Sequence, residues 1–234
     1  MSPEALWCVV PAAGRGARFG AAIPKQYTLL AGRPLLDWTL AALARSHCVA
    51  GIMLVLAADD VHWRARAEVE GKPLLTAVGG EERSASVLAG LRALPGVVAP
   101  TDFVLVHDAA RPCIGAGDIE RLVQLARPAG GGLLAAPLRD TLKRADPDGR
   151  VAATEPRESR WRALTPQLFP RAALEQALAS AHAAGIAVTD EAMAMERAGR
   201  HPLLVEGAET NLKVTTPADL ELAAFLLAGR ASGC

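Results

Sequence analysis

Five short segments, Leu6–Val10, Ile52–Ala57, Leu74–Val78, Phe103–Val106 and Leu133–Ala136, are apolar almost without interruption. A strand with one wet face alternates apolar and polar residues, so a continuous apolar run needs cover on both faces. The intervening sequence can supply that cover. Pro34–Arg45, Val61–Glu70, Glu82–Leu94 and Gly117–Arg127 carry apolar residues at helical spacing. Buried strands alternating with amphipathic helices predict an α/β, doubly wound domain around a mostly parallel sheet. Further helices are expected at Arg171–Ala184 and Asp190–Ala198, with a strand at Leu203–Glu206 between them and the C-terminal segment. Thr216-Pro217 reads as the N-cap and first position of a last helix, which Gly229 should close. All of this fits one domain over residues 1–234.

The alternation breaks after Pro137. Residues 139–160 are rich in charge, with Asp146-Pro147-Asp148-Gly149 at their centre. Asp-Gly between Thr141–Arg144 and Val151–Thr154 is a turn signal joining two short extended runs. A hairpin arm projecting from the core and a solvated loop are equally compatible with that pattern.

Charge restricts the partners. Lys and Arg total 25, as do Asp and Glu, so there is no basic field for nucleic acid or an anionic membrane. A small-molecule partner is expected. Residues 1–10 lack a cationic region followed by a cleavage site, and no apolar run is long enough to span a bilayer, which leads to the cytoplasm as the expected location. Cys8, Cys48, Cys113 and Cys234 are scattered, without a C-x-x-C pair, and the five histidines lack metal spacing. Cys8 and Cys113 are expected to be buried structural thiols, and any metal should be held by oxygen.

The first apolar run leads into Pro11-Ala12-Ala13-Gly14-Arg15-Gly16-Ala17-Arg18, followed by Pro24-Lys25-Gln26. Small residues let backbone N–H groups approach an anion, and Arg18 and Lys25 add fixed positive charge. The loop leaves the carboxyl end of a strand, where ligands of parallel sheets gather. Phe19 stands where the dinucleotide fingerprint needs glycine, and the Gly-Lys-Ser/Thr ending of a P-loop is absent. Asp108 follows Phe103–Val106 and should emerge at the same edge, as a metal ligand, a turn cap or a partner of Arg111. His107 reads as a structural hydrogen bonder. Ser86 could cap its helix, Lys213 could be a solvated charge, and Asp190-Glu191 could be a paired acid-base site but better suits a helix N-terminus.

Taken with Gly79-Gly80-Glu81-Glu82-Arg83-Ser84-Ala85-Ser86, Val106–Pro112, Arg139-Asp140-Thr141, Ala163–Gln167, Thr189-Asp190-Glu191 and Asn211–Thr215, this loop resembles the methylerythritol phosphate cytidylyltransferase family over almost the whole chain, in order. The resemblance implies a Rossmann-like nucleotidyltransferase fold and a Mg²⁺-dependent transfer, with other divalent cations also usable. CMP would pass from CTP to 2-C-methyl-D-erythritol 4-phosphate, in non-mevalonate isoprenoid precursor synthesis. It implies Arg18, Lys25 and Lys213 as catalytic cations, and Ala12, Ala13, Gly14, Gly16, Gly80 and Ser86 as nucleotide contacts. Asp108 becomes the metal ligand and a substrate contact, with Arg111, Thr141, Arg157, Thr165 and Thr189 on the substrate side. Thr141 and Arg157 would come from the arm of the partner in a homodimer. Glu81 stands where the family commonly has aspartate, and the end at Cys234 leads us to expect no fused cyclising domain. A cytidylyltransferase for another polyol phosphate, such as ribitol 5-phosphate, is the nearest alternative. A non-catalytic nucleotide-sensing module is the alternative from another class.

Overall fold

The computed structural model describes residues 6–14 and 23–231, so Gly16, Arg18 and Cys234 lie outside the described residues. In chain order the elements are β1 (Leu6–Pro11), a 3₁₀ turn (Lys25–Tyr27), β2 (Leu29–Leu30), β3 (Arg33–Pro34), α1 (Leu35–Ala44), β4 (Val49–Leu56), β5 (Glu68–Val69), β6 (Lys72–Val78), α2 (Arg83–Arg92), β7 (Phe103–Val106), α3 (Ala116–Ala126) and β8 (Gly132–Pro137). There follow β9 (Leu142–Ala145), β10 (Val151–Glu155), β11 (Trp161–Pro170), α4 (Arg171–Ala183), α5 (Glu191–Arg197), β12 (Leu203–Glu206) and α6 (Pro217–Ala231).

One eight-stranded sheet runs β12-β8-β11-β7-β1-β4-β6-β5. Within it β7, β1, β4 and β6 are parallel neighbours, as are β8 and β12, while β11 runs antiparallel to both β7 and β8. The expected α/β, mostly parallel architecture is therefore present. The unbroken apolar strands have the anticipated cause. Cys8, Val10, Ile52, Leu54 and Leu105 face one core, with Leu36 and Leu40 of α1 and Ile119 and Leu122 of α3. Their neighbours Val9, Met53, Val55, Val104 and Val106 face the other, with Val87 and Leu91 of α2 and Leu174 and Leu178 of α4. A third cluster seats α6, through Ala223, against Leu30, Leu35 and Val214. Cys8 and Cys113 are fully buried, and burial pushes the Cys8 thiol up.

β9 and β10 pair antiparallel, closed by Asp146, whose carboxylate accepts from the N–H groups of Asp148 and Arg150. Gly149 takes φ +77°, the left-handed conformation that the turn requires. Residues 139–160 thus contain a hairpin.

Two local expectations fail. Val61–Glu70 is not a helix: the chain runs irregularly to β5, which pairs antiparallel with β6. The Asp60 carboxylate accepts from the N–H groups of His62 and Trp63, and its other oxygen accepts from the Tyr27 hydroxyl. That is the bonding of a helix N-cap, yet no helix follows it. Arg66 is drawn instead onto the Trp63 ring and Asp37. At the other end of the chain, α6 runs through Gly229 rather than ending there, because glycine weakens a helix without forbidding it. Its start is as expected: the Asp219 N–H donates to the Thr216 hydroxyl while Asp219 accepts from the Thr216 N–H.

Candidate active site

Three parallel strands deliver their following loops to one edge of the sheet. After β1, the Ala12 N–H donates to Val55 O at 2.7 Å, and buried Gln26 donates from Nε2 to Ala12 O at 2.7 Å. The Ala12-Ala13-Gly14 loop is thereby tied to β4 on one side and to the Lys25–Tyr27 turn on the other. After β6, the Gly79-Gly80 turn passes so close to this loop that a Cβ on Gly79 would lie 2.8 Å from Ala13 Cβ and 2.6 Å from Ser86 Oγ. Glycine here is a packing requirement. Ser86, inside α2, donates to Gly80 O at 3.1 Å and so holds the turn instead of capping the helix.

After β7, the His107 N–H extends the ladder to Val9 O, and Asp108 emerges at the edge. The Asp108 N–H donates to Thr165 Oγ1 at 3.1 Å, and Thr165 Oγ1 lies 3.0 Å from His107 Nδ1. His107 Nε2 lies 3.1 Å from Arg111 O. A carbonyl only accepts, so Nε2 carries the proton and Nδ1 accepts from the Thr165 hydroxyl. Burial pushes His107 down to about 4, which keeps this tautomer neutral near pH 7. Thr165 reaches that position because β11 breaks its pairing with β8 between Ala163 and Gln167. The freed Thr165 carbonyl accepts from Asn211 Nδ2 at 2.7 Å, and Asn211 O accepts from Arg111 Nη1 at 2.7 Å.

These loops enclose a cleft of about 220 Å³. Its wall includes Ala12, Ala13 and Gly14, then Lys25 and Gln26, Glu81 to Arg83 with Ser86, and Asp108 to Ala110 with Lys213. Asp108 is its electrostatic centre. Arg83 Nε meets Oδ1 at 2.8 Å, Lys213 Nζ meets Oδ2 at 2.9 Å, and Arg111 Nε lies 3.6 Å from Oδ2. Burial alone would raise this carboxyl; Arg83, Lys213 and Arg111 outweigh it and hold Asp108 far below the usual carboxylate range. The ring of cations suits a polyanionic ligand, and the permanently ionised carboxylate is a hard oxygen donor. Among the described residues no three His, Cys, Asp or Glu side chains converge as a metal cage. A cation held here would therefore share Asp108 with ligand oxygens, the arrangement Mg²⁺ favours with phosphates.

The structure brings together Ala12, Ala13, Gly14, Lys25, Ser86, Asp108 and Lys213 on this wall. Gly80 stands behind it through its carbonyl. Arg111 and Thr165 are buried around Asp108 and orient its surroundings. Thr141, Arg157 and Thr189 are exposed and do not line the cleft of their own chain; Arg157 Nη1 donates to Arg139 O, and the Thr189 hydroxyl donates to Met193 Sδ. Glu81 is exposed on the cleft wall.

Sequence reasoning gave Arg83 no role and read Glu191 as a helix N-terminal acid, not as a partner of Arg83. Glu191 is fully buried and grips Arg83 through two bonds of 2.6 and 3.1 Å. Asp190 is the N-cap of α5, as a helix N-terminus reading requires, but Glu191 is far more than a favourable first-turn charge. Its only trace in the sequence is an arginine directly after the Gly79–Glu82 turn.

Comparison with known proteins gives a consistent result. The family profile described as 2-C-methyl-D-erythritol 4-phosphate cytidylyltransferase matches residues 6–229. A protein of that name from Xanthomonas campestris pv. campestris (strain B100) is 60% identical over 230 residues, covering 97% of this chain and 86% of the relative. One from Stenotrophomonas maltophilia (strain R551-3) is 59% identical over 97% of this chain and 98% of its own. Among solved structures, a 4-diphosphocytidyl-2C-methyl-D-erythritol synthase superposes with a TM-score of 0.83 at 35% identity, over 96% of this chain and 99% of that one. The 2-C-methyl-D-erythritol 4-phosphate cytidylyltransferase of Francisella tularensis superposes with a TM-score of 0.81 at 31% identity, over 95% of this chain and 100% of that one.

Proposed function

The chain belongs to the 2-C-methyl-D-erythritol 4-phosphate cytidylyltransferase family, and we propose that the cleft around Asp108 is where it performs that family's reaction. The enzyme transfers CMP from CTP to 2-C-methyl-D-erythritol 4-phosphate, releasing pyrophosphate and forming 4-diphosphocytidyl-2-C-methyl-D-erythritol for isoprenoid precursor synthesis. The observation that carries the placement is the meeting of Lys25, Lys213 and the arginine-held Asp108 beside the small-residue loop after β1.

The nucleophile is a phosphate monoester and already anionic, so no general base is required. The barrier is charge crowding at the α-phosphorus, which positioning and fixed cations relieve. In our reading Lys25, and Arg18 outside the described residues, stabilise the crowded α-phosphate and the leaving pyrophosphate, and Lys213 supports the same charge. Backbone groups of Ala12, Ala13, Gly14, Gly16 and the Gly80 turn, with Ser86, hold the nucleotide. Arg111, Thr165 and Thr189 serve the acceptor side. Thr141 and Arg157, on the exposed hairpin, complete the acceptor site of a partner chain in a homodimer. Asp108 would hold a divalent cation, Mg²⁺ first among them, which when bound supplies Lewis-acid charge to phosphate oxygens. Among the described residues no helix is long and apolar enough to cross a membrane. The buried thiols Cys8 and Cys48, neither joined in a disulfide, suit the reducing cytoplasm in which we place the enzyme.

A pyrophosphate-release assay tests the assignment by crossing CTP, UTP, ATP and GTP with methylerythritol and ribitol phosphates. Only CTP with methylerythritol phosphate should turn over efficiently, because a site that hydrogen-bonds cytosine leaves polar groups unpaired against uracil. Comparable kcat/KM for UTP, or for ribitol 5-phosphate, overturns the substrate assignment.

A further inference from the structure

We propose that Glu191 is a positioning residue for the transfer, acting through Arg83 to determine which oxygen of Asp108 is presented to the substrates. Arg83 and Glu191 each stand at the first position of their helices, α2 and α5. Glu191 is completely buried, and its two oxygens accept from Nη1 and Nη2 of Arg83 at 2.6 and 3.1 Å. A two-point grip fixes the plane of a guanidinium, as a single contact cannot. With both terminal nitrogens engaged, only Nε is directed at Asp108, and it meets Oδ1 at 2.8 Å. Oδ1 is thereby committed. Oδ2 is left to face Lys213, whose side chain is partly exposed on the cleft wall, with Arg111 Nε farther off at 3.6 Å.

The anchor is itself rigid. Gln167 donates from Nε2 to Asp190 Oδ2 at 2.9 Å and accepts from the Ala192 N–H at 2.7 Å. The start of α5 is therefore fastened to β11 on either side of Glu191. A buried carboxylate held this firmly can orient a group two contacts away.

A competing role for Glu191 would be simple charge balance. Removing its negative charge would then strengthen the attraction for a polyanion, tightening CTP binding and leaving turnover alone. Positioning predicts the reverse split. Without Glu191 the guanidinium is free to engage both oxygens of Asp108, which lowers turnover while nucleotide contacts elsewhere keep KM unchanged. This inference rests on Asp108 serving the transfer, so Asp108→Asn is included as a reference.

The experiment measures steady-state kinetics of Glu191→Gln, Arg83→Met, the double variant and Asp108→Asn, with CTP titrated calorimetrically with and without MgCl₂, and urea unfolding to establish folding. Glu191→Gln should lower kcat roughly 10- to 100-fold, as lost orienting partners of metal-site groups do, with KM for CTP within about twofold. The gain in CTP affinity on adding MgCl₂ should likewise stay within about twofold of wild type. In the Arg83→Met background Glu191→Gln should cost nothing further, since its effect passes through Arg83. Should Glu191→Gln fail to fold, Arg83→Lys provides the same test: an ammonium cannot span both carboxylates, and an equal loss of kcat is expected. Equal fractional losses in both backgrounds, or a lower KM with wild-type kcat, overturn the proposal. A silent Glu191→Gln beside an inactive Asp108→Asn overturns positioning alone. Wild-type turnover of Asp108→Asn removes both positioning and the assignment of Asp108.

Discussion

His107 contributes to this site without lining the cleft, and its contribution has a sign that can be measured. Burial depresses it from the ordinary 6.5 to about 4, partly offset by its bond to Arg111 O. Between those values the unfolded chain binds a proton that the folded chain refuses, so stability rises with pH across that window. The contribution is complete above about 6.5 and is lost as pH falls toward 4. Its full extent is about 3 kcal/mol, of which about 2 should be gone by pH 5. Urea denaturation at pH 7.5 and pH 5 should record that loss. His107→Asn should be less stable at pH 7.5 yet show a flatter profile, and an unaltered slope would locate the dependence elsewhere. Residues of this kind divide by how far their partners lie along the chain. Asp108, Lys25 and the Ala12–Gly14 loop were legible because strand, loop and charge are adjacent in sequence. The pair Arg83 and Glu191 is separated by 108 positions, and a glutamate opening a helix reads as an ordinary first-turn acid. Thr165 was legible only through family resemblance, because its role depends on the break in β11.

The same distinction holds for the elements. Strands apolar on both faces were readable because two helical layers impose the same demand at every position. Val61–Glu70 was not: helical spacing is present there, but Arg66 turns to the Trp63 ring and Asp37 and the chain runs irregularly to β5. Helix α2 shows how closely packing constrains the site it carries. A Cβ on Gly90 would lie 2.6 Å from Val9 Cγ1 on β1 and 2.7 Å from Val55 Cγ2 on β4, both valines fully buried. Helix propensity favours alanine over glycine by about 1 kcal/mol, but valine has little rotamer freedom with which to yield. Overpacking, at roughly 1–3 kcal/mol, should win. Gly90→Ala is therefore expected to lower unfolding free energy by about 1 kcal/mol and to raise KM for CTP as Ser86 moves. Gly229→Ala on α6, where a Cβ meets nothing within 4 Å, should gain about 0.5–1 kcal/mol. Urea denaturation of both variants checks the pair, and stabilisation by Gly90→Ala would refute the packing argument.

At the scale of the whole molecule, the hairpin of β9 and β10 stands apart from the main sheet as its own two-stranded unit. Asp148-Gly149 made its turn readable, whereas nothing in that composition gave Thr141 or Arg157 a task. If they serve a partner chain, each active site combines Lys25 of one subunit with Arg157 of the other. Lys25→Met and Arg157→Ala should each be inactive alone. Refolded together, half of the dimers are mixed and each mixed dimer keeps one intact site, so about a quarter of all sites should recover. Recovery near zero, with mixed dimers confirmed by mass, would confine Arg157 to its own chain. The placement of β11 has a further consequence, for the nascent chain. β7 borders β1 on one side, and its other neighbour in the sheet lies about sixty residues downstream; β8 likewise must wait for β11 and β12. While those sixty or so residues are made, the Phe-Val-Leu-Val edge of β7 is an uncapped template for foreign strands. The ribosome therefore extrudes a half-built sheet whose open border is sealed late, by a long strand that runs against the grain.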